Sequence, residues 1–299
     1  MHTAGFGRLD IAATVLHAPD GLLQYVSSQF IIHTAQMIST PEPVPRLLAL
    51  QFVPLFHLGS RPSHMVVGDI STGTDVLVIG AGPGGYTAAI RAAQLGLDTT
   101  LVEKYAYGGT CLNVGCIPSK SLITAADLAY SAGDAEKMGI HADPAVDMKG
   151  LNSWKNEVVG QLTSGVEKLC KANGVNLVSG MAEFDSPNKV RVAHGGDGQG
   201  SESIEFDRAI ISTGSRPIQI SNFEFDEETI LSSTGALDLD TLPESMVVVG
   251  AGYIGMELST VFAKLGTTVT VVEMLDNVLP NYEDDVARVV RTRAEELGI

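Results

Sequence analysis

The sequence predicts an α/β fold with two parallel-sheet units, and three observations carry that expectation. Two segments, 75–103 and 246–273, each read as strand, glycine-rich turn, helix, strand. In both, 23 residues separate the first glycine of the turn from a strand-ending glutamate, Gly80 from Glu103 and Gly250 from Glu273. A chain of 299 residues is also long enough for two domains that each bury a core.

Residues 1–64 show no regular period and hold five of the seven histidines, with prolines clustered at Pro41, Pro43 and Pro45. They read as a poorly ordered tail or as sequence upstream of a true start at Met65, so 1–68 is set apart as an unmatched extension. DVLVIG (75–80) is a continuous apolar run, the pattern of a strand buried on both faces of a parallel sheet. Residues 84–95 are alanine-rich with apolar positions at helical spacing, and TTLVE (99–103) returns as the second strand. Two amphipathic helices follow at 118–132 and 151–174, the second stopped by Asn173-Gly174. VNLVSG, NKVRVA and SIEFDRAIIST read as strands, the last two joined by the hairpin tip HGGDGQG. Residues 214–245, with Pro217, Pro243 and the acidic run EFDEE, read as the crossing to a second domain, which puts the boundary near 240. MVVVG, a helix and TVTVVE then repeat the first figure, and a helix is expected at 283–297.

The formal charge of −16 resides in 65–299, which holds 16 bases against 32 acids. Such a surface repels phosphate backbones and anionic lipid, so neither nucleic acid nor a membrane surface is an expected partner, and it suits a salt-rich cytoplasm. The longest apolar candidate, Leu47 to Leu58, is interrupted by Gln51, Pro54 and His57 and falls short of the roughly 18–20 residues that span a bilayer. The N-terminus lacks the basic and apolar regions of a secretion signal, and a cytoplasmic location is expected.

In GAGPGG, Gly80 permits a tight turn, Gly82 lets the backbone approach a pyrophosphate, and Gly85 lets the helix pack closely on the strand. The helix N-terminal amides then face the diphosphate, and Glu103 is placed to accept hydrogen bonds from the ribose hydroxyls of an adenosine. GAGYIG supplies Gly250, Gly252 and Gly255, with Glu273 in the place of Glu103. The residues after it, MLDN, offer no base for a 2′-phosphate, so NAD is expected rather than NADP. Two nucleotide sites in one chain imply two cofactors passing electrons, or duplicated regulatory sites.

Cys111 and Cys116 stand five apart in GGTCLNVGCIPSK. A structural zinc site needs four ligands at shorter spacings, and only Cys170 remains, so no metal is expected. As a staple the pair would close a very short loop in a reducing compartment, which contributes little. A disulfide that opens and closes fits better. Pro118 suits the first turn of a helix that carries Lys120, and the positive end of that helix favours a thiolate at Cys116.

Together, GGTCLNVGCIPSK, GAGPGG with Glu103, STGSRP, and GAGYIGMEL with VVE resemble the class I flavoprotein disulfide reductases, most closely the dihydrolipoamide dehydrogenase branch. The resemblance covers about residues 70–299. It implies two Rossmann-like domains, an FAD-binding domain with the redox disulfide at 69–240 and the first part of an inserted NAD-binding domain at 241–299. It implies that Gly80, Gly82, Gly85 and Glu103 bind the ADP half of FAD, with Lys104 and Thr110 nearby, Ala182 against the adenine, and Thr213 and Gly214 covering the cofactor from the other side. Cys116 is then the sulfur beside the flavin and Cys111 the one that meets substrate. Lys120 and Glu257 correspond to the ion pair at the reactive edge of the flavin, while Tyr253 and Ile254 adjoin the nicotinamide held by Gly250, Gly252, Gly255 and Glu273. The implied reaction oxidises a dihydrolipoyl group and reduces NAD⁺ through the disulfide and FAD. Its carrier would be the lipoyl domain of a 2-oxo acid dehydrogenase complex or a glycine cleavage carrier protein, and the enzyme would be a homodimer.

Mercuric and glutathione reductases share much of the cysteine segment, and Glu273 argues against both. The family also continues well beyond Ile299, into a C-terminal dimerisation domain with a histidine and glutamate acid–base pair. Neither His141 nor His194 lies in a matching motif, and His194 reads as a solvated loop residue. The expectation is therefore a chain with cofactor motifs and little or no overall turnover by itself, or an inactive FAD/NAD-binding fragment.

Overall fold

The computed structural model describes residues 71–195 and 200–299, together with the backbone of two short strands at 14–18 and 22–24. Apart from those strands, the extension at 1–68 lies outside the described residues, as does the middle of the hairpin tip HGGDGQG.

The elements begin with β1 (Thr14–Ala18), β2 (Leu22–Gln24), β3 (Ser71–Ile79), α1 (Pro83–Gln94), β4 (Thr99–Glu103), α2 (Gly109–Asn113) and α3 (Cys116–Gly133). A 3-10 turn (Asp134–Met138) leads to α4 (Met148–Ala172), then β5 (Asn176–Ser179), β6 (Met181–Ser186), β7 (Lys189–Ala193) and β8 (Ser201–Ile211). The chain continues through β9 (Ile230–Leu231), α5 (Ser233–Ala236), β10 (Ser245–Val249), α6 (Tyr253–Leu265), β11 (Thr268–Val272) and α7 (Asp284–Glu296). The helices expected at 84–95, 118–132, 151–174 and 283–297 thus form within three residues of those bounds, and α6 forms in the repeated figure. Two compact units are interleaved in sequence: Thr34–Asn113 with Gly160–Gly214, and Met1–His33 with Val114–Val159 and Ser215–Ile299.

The first unit holds a six-stranded sheet in the order β5-β4-β3-β8-β7-β6. Its β5-β4-β3-β8 neighbours run parallel, and β8-β7-β6 return antiparallel. Val76, Leu77, Val78 and Ile79 of β3 are all buried, as a strand covered on both faces requires. Helix α1 buries Gly85, Ala89 and Ala92, small residues on one face that let it lie close to the sheet. In β7 only Val190 and Val192 are buried, with Lys189, Arg191 and Ala193 on the other face, and they join Leu77, Val102, Ile204 and Phe206 in the core.

In the second unit β10 and β11 are parallel, while β1 pairs antiparallel with β10 from Thr14 opposite Val249 to Ala18 opposite Ser245. Its core joins Leu122 and Ala126 of α3 to Leu258, Val261 and Phe262 of α6 and to Val248 of β10. Lys155 of α4 is buried, its side chain 3% exposed, and donates to the Leu237 carbonyl and to Asp238 Oδ1 at 2.9 Å. One turn earlier, Asn152 Nδ2 donates to the Leu239 carbonyl at 3.0 Å. These bonds clamp the approach to β10, because an unpaired ammonium in that position would carry a desolvation cost of several kcal/mol.

The segment read as a plain crossing, 214–245, contains β9, α5 and a built turn. Asp226 Oδ1 there accepts from the backbone N–H groups of Glu228, Thr229 and Ile230. The bonds from Ile230 and Glu228 hold its carboxyl below the usual carboxylate range.

Candidate functional site

The first glycine turn is closed by contacts that leave no room for a side chain at Gly80 or Gly85. Gly80 sits at φ +97°, and a Cβ on it would lie 2.2 Å from the Ser212 carbonyl oxygen. Gly80 N–H donates to the Val102 carbonyl at 2.8 Å, which fixes the turn to the end of β4. A Cβ on Gly85 would meet the Gly80 oxygen at 1.8 Å, so the helix and the strand end touch backbone to backbone. Gly82 is the N-cap of α1, Pro83 takes the first helical position, and no side chain caps the helix. Uncapped N–H groups at that end suit a diphosphate, which is how the residues present fit the pyrophosphate of FAD.

The second turn repeats this plan. Gly250, at φ +101°, donates to the Val272 carbonyl at 2.7 Å, and Gly252 is the N-cap of α6, again without a side-chain cap. Gly255 is buried. Tyr253 and Ile254 open α6 and are half-buried. Beside this turn a pocket of about 250 Å³ is lined by Ala251, Met256, Val271, Glu273 and Arg291. Arg291, whose Nε donates to Glu295 Oε1 at 3.0 Å, is a base that the strand-end sequence MLDN gave no hint of, because it comes from α7.

Glu103 and Glu273 do more than end their strands. Glu103 Oε2 accepts from Ala81 N–H at 2.6 Å and Oε1 from Tyr105 N–H at 2.8 Å. Glu273 Oε2 accepts from Ala251 N–H at 2.8 Å, and its Oε1 from Met274 and Leu275 N–H at 2.8 and 3.0 Å. Each carboxylate therefore ties its glycine turn to the loop after the second strand, and its Oε2, which accepts one bond, keeps lone-pair capacity for a ribose hydroxyl. A carboxamide has one acceptor oxygen and cannot hold both sides. Glu103→Gln and Glu273→Gln are each expected to lower the stability of the nucleotide-free protein by about 1–2 kcal/mol, read from urea unfolding midpoints. Unchanged midpoints in both variants would confine these residues to contact with nucleotide.

Cys111 lies in α2 and Cys116 is the first residue of α3; both are half-buried, whereas Cys170 is fully buried. Helix α2 is mounted on the first glycine turn. Gly108 N–H donates to the Ala81 carbonyl at 2.8 Å, and a Cβ on Gly109, at φ +55°, would lie 2.6 Å from the Gly82 Cα. Asn113 Nδ2 braces the same helix by donating to the Tyr107 and Gly109 carbonyls at 3.0 and 2.9 Å. Burial pushes the Tyr86 phenol up, with negative charge at Cys111 adding in the same sense, so Tyr86 is a neutral hydroxyl near that sulfur. Burial also raises the Cys170 thiol, which keeps it protonated and inert. Sequence reasoning missed Asn113 and Tyr86; Asn113 stood inside the cysteine motif, and Tyr86 carried no signal beyond following Gly85.

The remaining sequence-derived residues sort by unit. In the first, Lys104 is exposed with its ammonium 4.6 Å from the Tyr105 ring centroid, and Thr110 is exposed on α2. Ala182 of β6 pairs with Val192 of β7, and Thr213 and Gly214 are exposed just after β8, Gly214 at φ +75°. In the second unit, Lys120 Nζ lies 3.6 Å from Glu257 Oε1. His194 is not a free loop residue: its Nδ1 lies 2.8 Å from the Ser179 carbonyl and its Nε2 3.4 Å from Glu202 Oε1, so it ties the hairpin to the end of β5. His141 is exposed, 3.6 Å from Glu136. Among the described residues no cluster of ligands for a metal ion is found, and no helix is long and apolar enough to cross a membrane.

The dihydrolipoyl dehydrogenase of Haloferax volcanii is 73% identical over 235 residues, 79% of this chain and 50% of that protein. That of Geobacillus stearothermophilus is 50% identical over 236 residues, 79% of this chain and 49% of that protein. The chain thus spans about half the length of the curated relatives it matches. Among solved structures, LpdA from Mycobacterium tuberculosis matches with a TM-score of 0.68 at 26% identity, covering 76% of this chain and 50% of that one. The Cu(II) complex of RclA, an HOCl-induced flavoprotein disulfide reductase of Escherichia coli, gives 0.62 at 29% identity, covering 76% and 48%. The profile of the pyridine nucleotide-disulphide oxidoreductases matches residues 74–299, and this chain belongs to that family.

Proposed function

We propose that this chain performs the disulfide relay of a dihydrolipoyl dehydrogenase, with Cys111 and Cys116 as the redox pair. The observation that carries this reading is the mounting of the Cys111 helix on the first dinucleotide turn, where Gly109 leaves no space for a side chain against Gly82. A cysteine built onto a nucleotide turn is placed for electron exchange with the nucleotide's cofactor, and a structural thiol has no need of that position.

In the proposed reaction one thiolate of a dihydrolipoyl group attacks Sγ of Cys111 in the oxidised pair, and Cys116 leaves as a thiolate. The second substrate thiol then displaces Cys111, so the substrate departs as a cyclic disulfide and its two electrons remain on the cysteines. When bound, FAD would supply a two-electron acceptor for the reduced pair, and NAD⁺ a hydride acceptor. The first turn, with Gly80, Gly82, Gly85 and Glu103, would hold the ADP half of FAD, aided by Lys104, Thr110, Ala182, Thr213 and Gly214. The second, with Gly250, Gly252, Gly255 and Glu273, would hold NAD, and Lys120, Glu257, Tyr253 and Ile254 would line its reactive end. On this reading 69–240 is the FAD-binding domain and 241–299 belongs to the NAD-binding domain. The partner is a lipoyl domain of a 2-oxo acid dehydrogenase complex or a glycine cleavage carrier protein, the assembly a homodimer and the setting the cytoplasm.

The test is anaerobic addition of dihydrolipoamide to the FAD-loaded chain. The flavin's visible absorbance is expected to bleach with one dithiol per flavin. Tight FAD binding without bleaching would leave a nucleotide-binding module and remove the relay.

A further inference from the structure

Helices α3 and α6 are joined by two ion pairs of opposite polarity. Lys120 of α3 meets Glu257 of α6 at 3.6 Å, and two turns further on Asp127 of α3 meets Lys264 of α6. Each pair joins residues 137 apart in sequence, so the helices run parallel in constant register. The pairs are about 10 Å apart along the axis, at 1.5 Å per residue. Leu122 and Ala126 pack with Leu258, Val261 and Phe262 in one apolar core.

Lys264 is the partner that cannot be moved cheaply. Its side chain is 13% exposed, and its ammonium also lies 6.0 Å from the Tyr130 ring centroid. Sliding α3 by one turn in either direction sets Lys120 opposite Tyr253 or Val261, and Asp127 leaves Lys264 without a counter-charge. Both alternatives lose both ion pairs at once and strand a largely buried cation. An apolar interface alone tolerates such slides, since ridges and grooves repeat every turn. The same separation sets Cys116, the first residue of α3, level with Tyr253, the first residue of α6.

We propose that Asp127 and Lys264 are positioning residues: they lock the register of α3 on α6, and so hold the Cys116 end of α3 level with the second dinucleotide turn. Their charges act at a distance from the sulfur, through the helix. The mechanistic value of that placement rests on the function proposed above, but the register itself does not.

The test follows Cys116 in the full chain, reduced beforehand with a dithiol that is then removed under anaerobic conditions, by its rate of alkylation with iodoacetamide, read by peptide mass spectrometry, which needs no flavin. Asp127→Lys and Lys264→Asp each disrupt the lock, and Cys116 is expected to react roughly threefold faster as its half-buried helix end loosens. The charge swap Asp127→Lys with Lys264→Asp, and the conservative Asp127→Glu, are expected to bring the rate back to that of the unaltered chain. If either reversal loses helical circular dichroism, Asp127→Asn decides by the same reading. A rate unmoved by the single changes, or not restored by the swap in a folded protein, overturns the proposal. A flavin that dihydrolipoamide fails to bleach, with these rates as expected, removes the relay and leaves the lock standing.

Discussion

Replacing Cys116 by serine is expected to abolish reduction of bound flavin by dihydrolipoamide, a loss of about 10³-fold or more, because a serine cannot form or release a disulfide. Cys111→Ser should lose as much, for a different reason: the sulfur that receives the substrate thiolate is gone while Cys116 can still be alkylated. Cys170 provides the internal control. It is fully buried and its thiol is raised by burial, so Cys170→Ala is expected to keep the rate of flavin reduction within about twofold. Rapid-mixing traces under anaerobic conditions separate the three. Reduction that survives Cys116→Ser, or vanishes with Cys170→Ala, would move the electron path away from this pair.

The second large effect concerns two glycines of one turn. At Gly85 an added Cβ meets the Gly80 carbonyl oxygen at 1.8 Å and its carbon at 2.9 Å, both backbone atoms with nowhere to go. Gly85→Ala should therefore push α1 off β3 and cost about 3 kcal/mol or more, seen as a large drop in the urea midpoint. At Gly82 the nearest atom to an added Cβ is the Gly109 Cα at 3.8 Å, an ordinary contact, and its φ of −71° suits alanine. Gly82→Ala is thus expected to fold with a stability change under about 1 kcal/mol, yet to weaken FAD binding roughly tenfold or more, since the methyl occupies the approach of the diphosphate. Equilibrium dialysis with FAD checks the second half. Equal stability in the two variants would mean that the close approach of helix to strand is not what Gly85 provides.

What the sequence made legible was local and periodic. The strand, turn and helix at 75–95 could be read because apolar runs, glycine spacing and helical periodicity each depend on neighbours a few residues away. The matched spacing of Gly80 to Glu103 and Gly250 to Glu273 was legible too, but its structural meaning was not. That Glu103 reaches back to Ala81 N–H, and Glu273 to Ala251 N–H, follows from the strand order that brings the ends of two parallel strands side by side. The contact of Gly109 with Gly82 escaped for the same reason: nothing in either motif states that they meet. Asp127 and Lys264 escaped more completely, since a charged residue on an amphipathic helix reads as solvated until its partner helix is known. His194 was misread because loop sequence around Gly195 says nothing of the Ser179 carbonyl that it reaches.

The order of strands in the first unit governs how this protein can be made. β3 pairs with β8 from Ser71 opposite Ser203 to Ile79 opposite Ile211, so the central strand must wait for a partner encoded far downstream. Residues of the second unit, Val114–Val159, are synthesised in between. During translation the apolar edge of β3 is therefore left open until residues 201–211 emerge. Contacts of such long range fold slowly, and an open strand edge is a template for pairing with other chains. Yield from the ribosome should accordingly depend more on protection of that interval by chaperones than on the stability of the finished fold.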